Sequence, residues 1–161
     1  MASIRPLSVA LLVAAPLALG ACAPSAPGGG DLTATDRDAV RAVTTAEADA
    51  GGRAFQLDTD DGRWQIHVAV GDQEIEVVVS ADGSQAQSSD DAEGLDTDDA
   101  AALQATTTTL ADAVRIAASR ASGDARIEEA SLESEDGTPI WKIDLVGGTT
   151  VRVSGTDGSV R

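Results

Sequence analysis

Cysteine, histidine and lysine occur once each and tyrosine not at all; the aromatic side chains are Phe55, Trp64 and Trp141. One cysteine excludes an intramolecular disulfide. One histidine and one cysteine cannot supply the ligands of a zinc site. A Ser-His-Asp relay would have to use His67, and no Gly-x-Ser-x-Gly elbow accompanies it. Basic charge is scarce too: 11 Lys and Arg stand against 27 Asp and Glu. Arg5 is the one charged residue before Asp31, so from Cys22 onward ten basic side chains face 27 acidic ones, a formal −17. That excess repels phosphate backbones and anionic headgroups, which argues against nucleic acid and favours basic or cationic partners. The same charge also serves simply as a solubilising surface.

Long apolar runs are rare as well. The one that stands out is Leu7–Leu19, interrupted by Ser8 and Pro16, after the positive start Met1–Arg5. It is too short to span a bilayer as a helix and has the length of a signal-peptide core. It ends in Leu19-Gly20-Ala21-Cys22. This tetrapeptide resembles the lipobox of bacterial lipoproteins, with Leu at −3, small residues at −2 and −1, then Cys. The resemblance implies a signal peptide over residues 1–21 and a diacylglyceryl group on Cys22, which becomes the new N-terminus. Two or more buried acyl chains give stable anchoring. The alternative is ordinary signal-peptidase cleavage after Gly20, leaving a free thiol. Residues 22–34, rich in Ala, Pro, Ser and Gly, read as the lipidated cysteine and a flexible tether. Gly28-Gly29-Gly30 lacks the Lys-Ser/Thr of a phosphate loop and belongs to that tether.

The body reads as an internal repeat. Thr35-Asp36-Arg37-Asp38-Ala39-Val40-Arg41 returns as Thr109-Leu110-Ala111-Asp112-Ala113-Val114-Arg115. Each opens with Thr and carries Asp three residues on, which predicts a capped helix start. Ala39, Val43, Ala46 and Ala50 share one helical stripe, and so do Leu110, Val114, Ala117 and Ala121. The helices should stop at Gly51-Gly52 and at Gly123. Three strands are expected after each helix, at about 53–58, 63–70 and 73–80, then 125–132, 140–146 and 150–154. Pairing by side-chain parity sets Trp64 opposite Val79, Ile66 opposite Val77 and Val68 opposite Ile75 across a Gly71-Asp72 turn. Turns at Asp60-Asp61 and Asp136-Gly137 set Leu57 opposite Trp64 and Leu132 opposite Trp141. A Gly147-Gly148-Thr149 loop sets Leu145 opposite Val151 and Asp144 opposite Arg152.

The expected fold class is therefore α+β: two repeated modules, 35–84 and 109–161, each one helix on the apolar face of a three-stranded antiparallel sheet. Trp64 and Trp141 should be core anchors in equivalent environments. The other face is polar, with Gln65, His67, Glu74 and Glu76 in one copy and Lys142, Asp144, Arg152 and Ser154 in the other. Residues 85–108 read as an acidic, solvated linker, with a helical turn near Asp98–Gln104.

The order helix, glycine-ended turn, strand, aromatic-led strand and closing strand resembles the PepSY domain. The residues that carry it are Ala113-Val114, Gly123, Trp141-x-Ile143-x-Leu145, Val151-x-Val153 and Asp157-Gly158. Val40, Gly51, Trp64-x-Ile66-x-Val68, Val77-x-Val79 and Asp82-Gly83 repeat them. Both copies depart from the pattern by closing in Asp-Gly. The resemblance implies a non-catalytic role in which peptidase inhibition has been proposed, and it brings no catalytic residues.

The residues themselves point the same way. His67, with Glu76 opposite it, reads as a surface cross-strand pair. Asp58-Thr59-Asp60-Asp61-Gly62 imitates a calcium loop, but its fifth position is Gly62 and its twelfth Ala69. The linker acids Asp90, Asp91, Asp96, Asp98 and Asp99 could gather Ca²⁺ weakly. No cofactor, metal or catalytic residue is assigned. The expectation is a lipid-anchored protein on the extracytoplasmic face of the cell membrane, not an enzyme, that binds or regulates another envelope protein, a peptidase among the candidates. The rival reading is an extracytoplasmic cation or small-molecule sensor.

Overall fold

The computed structural model describes residues 34–121 and 126–161. The expected signal peptide, most of the tether, Cys22 and the Gly123 helix stop lie outside them. Within them the chain runs α1 (Ala34–Ala50), β1 (Arg53–Asp60), β2 (Arg63–Val70), β3 (Gln73–Val79), β4 (Ala86–Gly94), α2 (Thr97–Ala105), α3 (Leu110–Arg120), β5 (Ile127–Glu135), β6 (Thr138–Leu145) and β7 (Thr149–Ser154).

The two separate helix-on-three-strand modules do not form. All seven strands make one antiparallel sheet in the order β4-β3-β2-β1-β5-β6-β7. The join is β1 to β5, through Gln56–Ser131, Leu57–Ala130 and Asp58–Glu129. One apolar row then crosses six strands: Val77, Ile66, Leu57, Ala130, Ile143 and Val151. The physical reason is the edge. A three-stranded sheet leaves unpaired amides and carbonyls on two sides, and joining two such sheets removes two of the four exposed edges. It also merges two small cores, each marginal at about 50 residues, into one.

The expected helical stripes are buried except at their last residues: Ala39, Val43, Ala46, Val114 and Ala117 are fully buried and Leu110 nearly so, while Ala50 and Ala121 are half-buried. α1 packs on β1–β4, α3 on β5–β7, and the two helices on each other. α3 has the expected cap: the Asp112 amide donates to Thr109 Oγ1 at 3.1 Å. α1 begins at Ala34, so Thr35 lies inside that helix rather than before it.

The stretch read as a solvated linker is structured. Ala86–Gly94 is β4, paired with β3. Thr97–Ala105 is α2, capped by Asp96, whose carboxylate accepts from the Asp98 amide at 2.8 Å. α2 buries Ala102 and Leu103 and lies against β5 and β6. Arg53 fixes the end of α2 by donating to the Leu103 and Thr106 carbonyls at 3.0 and 3.3 Å.

The β2–β3 pairing has the register read from parity, and Leu132 faces Trp141 across the Asp136-Gly137 turn. Two other pairings are displaced by two residues. Leu57 lies opposite Ile66, not Trp64, because the turn is Asp61-Gly62. Leu145 lies opposite Thr149 and Ile143 opposite Val151, so Asp144 meets Thr150 and Lys142 meets Arg152. Ser154, expected on the polar face, is buried, with its hydroxyl 3.0 Å from Thr156 Oγ1.

Candidate functional site

Both tryptophans are buried, as core anchors should be. Their anchorage differs: Trp64 Nε1 donates to Ala81 O, after β3, at 3.0 Å, and Trp141 Nε1 to Thr108 O, before α3, at 2.9 Å. The expected equivalence of the two indoles therefore fails.

His67 pairs with Glu76 in the ladder, but its side chain turns to Glu74, with Nδ1 2.5 Å from Oε1. A bulge between Ala54 and Gln56 brings the buried Phe55 ring to 6.1 Å from the imidazole. These neighbours, a carboxylate on the same hairpin and a phenyl ring, hold the imidazole in place. On the same sheet Lys142 pairs with Asp144 at 2.8 Å. The contact holds the ammonium above its usual range and the carboxyl below, and Thr150 helps lower the latter.

The acidic loop after β1 is a hairpin turn. Asp61 and Gly62 have φ of 46° and 73°, as a two-residue turn between twisted strands requires. The carboxylates beside it accept from neighbouring amides: Asp58 from Gln56 Nε2 at 2.8 Å, and Asp60 from Gln65 Nε2 at 3.4 Å. Among the described residues no group of three or more His, Cys, Asp and Glu is placed to hold a metal ion. At the start of α2, partial burial first, then Asp96, Glu74 and Asp98, push the Asp99 carboxyl above its usual range.

Two Ser-rich turns close the halves. Asp82 is held at about 2, chiefly by the Ser80 hydroxyl and then by the Ser84 hydroxyl and amide. Asp157 is likewise held at about 2 by the Ser154 hydroxyl and by the Ser159 amide and hydroxyl.

Two surfaces remain as candidates. The first is a cleft of about 440 Å³ at the seam between the halves, lined by Asp38, Thr59, Gly62, Arg63, Trp64, Ala81, Arg126, Ile127 and Val146. β1 and β5 meet there, where Thr59 Oγ1 donates to Glu128 O at 3.2 Å. Sequence reasoning missed it because Arg63 and Arg126 come together only through the unforeseen β1–β5 join. In the structure the cleft is marked by Val146, the one large hydrophobic side chain exposed among the described residues.

The second surface is a sheet edge. β7 is covered along part of its edge by the C-terminal tail: Val153 bridges Val160, the Ser154 amide reaches Ser159 O, and the Arg161 amide reaches Arg152 O. β4 ends the sheet on the other side, with Asp90, Asp91 and Glu93 exposed. Charge on an edge strand discourages self-association.

No protein-family model matches the chain, PepSY included, and no curated protein matches it. Among solved structures, it is similar to a protein of Clostridium difficile 630 provisionally described as a lipoprotein. The two are 17% identical with a TM-score of 0.44, over 82% of this chain and 93% of the other. That likeness is too loose to establish a shared fold. No helix among the described residues is long and apolar enough to cross a membrane.

Proposed function

We propose that this chain is a cell-envelope protein, tethered by lipid on Cys22, whose folded part binds another envelope protein and carries out no chemistry of its own. The tether rests on the Leu19-Gly20-Ala21-Cys22 sequence after the apolar run. The binding role rests on one observation: β4, though its ladder with β3 is interrupted near Asp90 and Asp91, leaves a strand edge with no further strand paired to it among the described residues, and most of its side chains are polar or acidic. An extended segment of a partner can add there as an eighth strand, its main chain supplying the hydrogen bonds and its basic side chains meeting Asp90, Asp91 and Glu93. The resemblance of its sequence pattern to PepSY, which no family model supports, adds a peptidase to the candidate partners.

The test is site-specific photocrosslinking in intact cells, with the reactive group placed at Gln87 on β4 or at Arg152 on β7. A discrete adduct from Gln87, absent from Arg152, is the expected result. Equal labelling from both sites, or none from Gln87, overturns the edge reading. Separately, Cys22→Ser should release the protein from the membrane fraction, and lipid on the wild-type cysteine should appear in its mass; a wild-type mass without lipid overturns the tether.

A further inference from the structure

We infer that the seam cleft is a binding site for a small organic anion, a carboxylate, phosphate or sulfonate carried on an apolar body. The argument begins with charge. On a surface this acidic, a cation has carboxylates and carbonyls within easy reach, and at least five of the ten described cations hold such partners. Arg41 donates to Asp82 O, Arg53 to two carbonyls, Arg115 pairs with Asp112, Arg152 with Glu135 and Lys142 with Asp144. Arg63, Arg126 and Arg120 make no side-chain hydrogen bond or ion pair among the described residues, and of these three Arg63 and Arg126 line this cleft. Asp38 lines the same cleft and forms no ion pair with either, and the charged side chains of the described lining, Arg63, Arg126 and Asp38, sum to one net positive charge.

The rest of the lining is suited to the apolar part of such a ligand. Trp64, Ile127, Ala81 and the exposed Val146 border the same space. Gly62 adds no side chain there. A volume of about 440 Å³ lies in the ~300–1,000 Å³ range of small-molecule sites. Guanidinium groups match the planar oxygens of carboxylates and phosphates, and two of them can share one anion. Because the protein as a whole repels anions, affinity here must come from these local contacts rather than from long-range attraction. The site is independent of the β4 edge: its lining includes no β4 residue.

The test uses the full chain and two fluorescent probes that differ in charge. 1-Anilinonaphthalene-8-sulfonate carries the anion, and N-phenyl-1-naphthylamine has the same aromatic body without it. The sulfonate should bind saturably. Arg63→Gln and Arg126→Gln should each weaken it about ten-fold, as loss of a charge-assisted contact does. The neutral probe should bind more weakly and respond to neither change. Arg120→Gln, at the end of α3 and outside the cleft lining, removes the same charge and should leave binding unaltered. Both cleft arginines are exposed, so circular dichroism should show both variants folded. The inference is overturned if the sulfonate ignores Arg63 and Arg126, if Arg120→Gln weakens it equally, or if the neutral probe binds as well.

Discussion

Leu57→Ala tests whether the chain folds around one core. Leu57 is fully buried on β1, between Ile66 of β2 and Ala130 of β5, so it touches both halves of the sheet. Truncating a buried leucine costs ~2–5 kcal/mol, and the rigid sheet on both sides leaves little room for collapse, so about 3 kcal/mol is expected. With a urea m-value near 2 kcal/mol/M for a domain of this size, the midpoint should fall by about 1.5 M. The two indoles report the halves separately. Protein labelled with 5-fluorotryptophan gives one ¹⁹F resonance each for Trp64 and Trp141, assigned through Trp64→Phe. In the wild type both should unfold at one midpoint, and Leu57→Ala should move both equally. If the Trp141 transition stays where it was while that of Trp64 moves, the halves are energetically independent and the single-core account is wrong.

Gly83 and Gly71 both have positive φ, 72° and 66°, but their surroundings differ. A Cβ on Gly83 would lie 2.6 Å from Asp38 O and 2.8 Å from the Ala42 amide nitrogen, against α1, whereas one on Gly71 meets open space. Gly71→Ala should therefore cost about 1 kcal/mol from backbone strain alone, and Gly83→Ala at least about 3 kcal/mol, measured by urea titration. For Asp99 the folded pKa is raised, so its carboxylate opposes folding at neutral pH and stability grows as pH falls through that pKa. Asp99→Asn should raise the melting temperature at pH 7, and the gain should shrink on acidification; a loss at pH 7 refutes the assignment. Asp82 and Asp157 have the opposite sign: lowered from 3.8 to about 2, they stabilise the fold above the unfolded value and lose that contribution as pH drops towards 2. The double Asp82→Asn, Asp157→Asn variant should show a flatter loss of stability between pH 4 and 2; an unchanged acid limb refutes it.

The parts of the fold legible in the sequence are those where side-chain identity alone decides. The helix stripes and the β2–β3 register followed from apolar spacing, since a slip of one residue would turn Ile66 and Val68 to water. The two displaced pairings show where that argument stops. A shift of two keeps every side chain on its face, so parity cannot tell Leu57–Trp64 from Leu57–Ile66. Turn chemistry decides instead: Asp61-Gly62 offers an Asp and a Gly for two positive φ values, whereas Asp60-Asp61 would force a second Asp there. After β6 the same freedom lets Val146-Gly147-Gly148 form the loop rather than Gly147-Gly148-Thr149.

β4, α2 and the β1–β5 join were illegible for a different reason. Ser88, Asp90, Asp91 and Glu93 show no apolar alternation, and nearly all of β4 is exposed. It is a strand because β3 presents it with an unpaired edge, a property of the neighbour rather than of the segment. Likewise Gln56 and Asp58 meet Ser131 and Glu129 across the seam, with Leu57 and Ala130 the apolar pair there. The pattern that marks Leu57 as buried is the same whether β1 ends a sheet or lies at its centre. The candidate cleft inherits that blindness. Arg63 opens β2 and Arg126 precedes β5, so neither half contains the site, and a chain cut between α2 and α3 should yield two pieces that bind no sulfonate probe even where they remain folded. Joining the sheets, which removes two exposed edges and completes one core, also brings two arginines to the same opening.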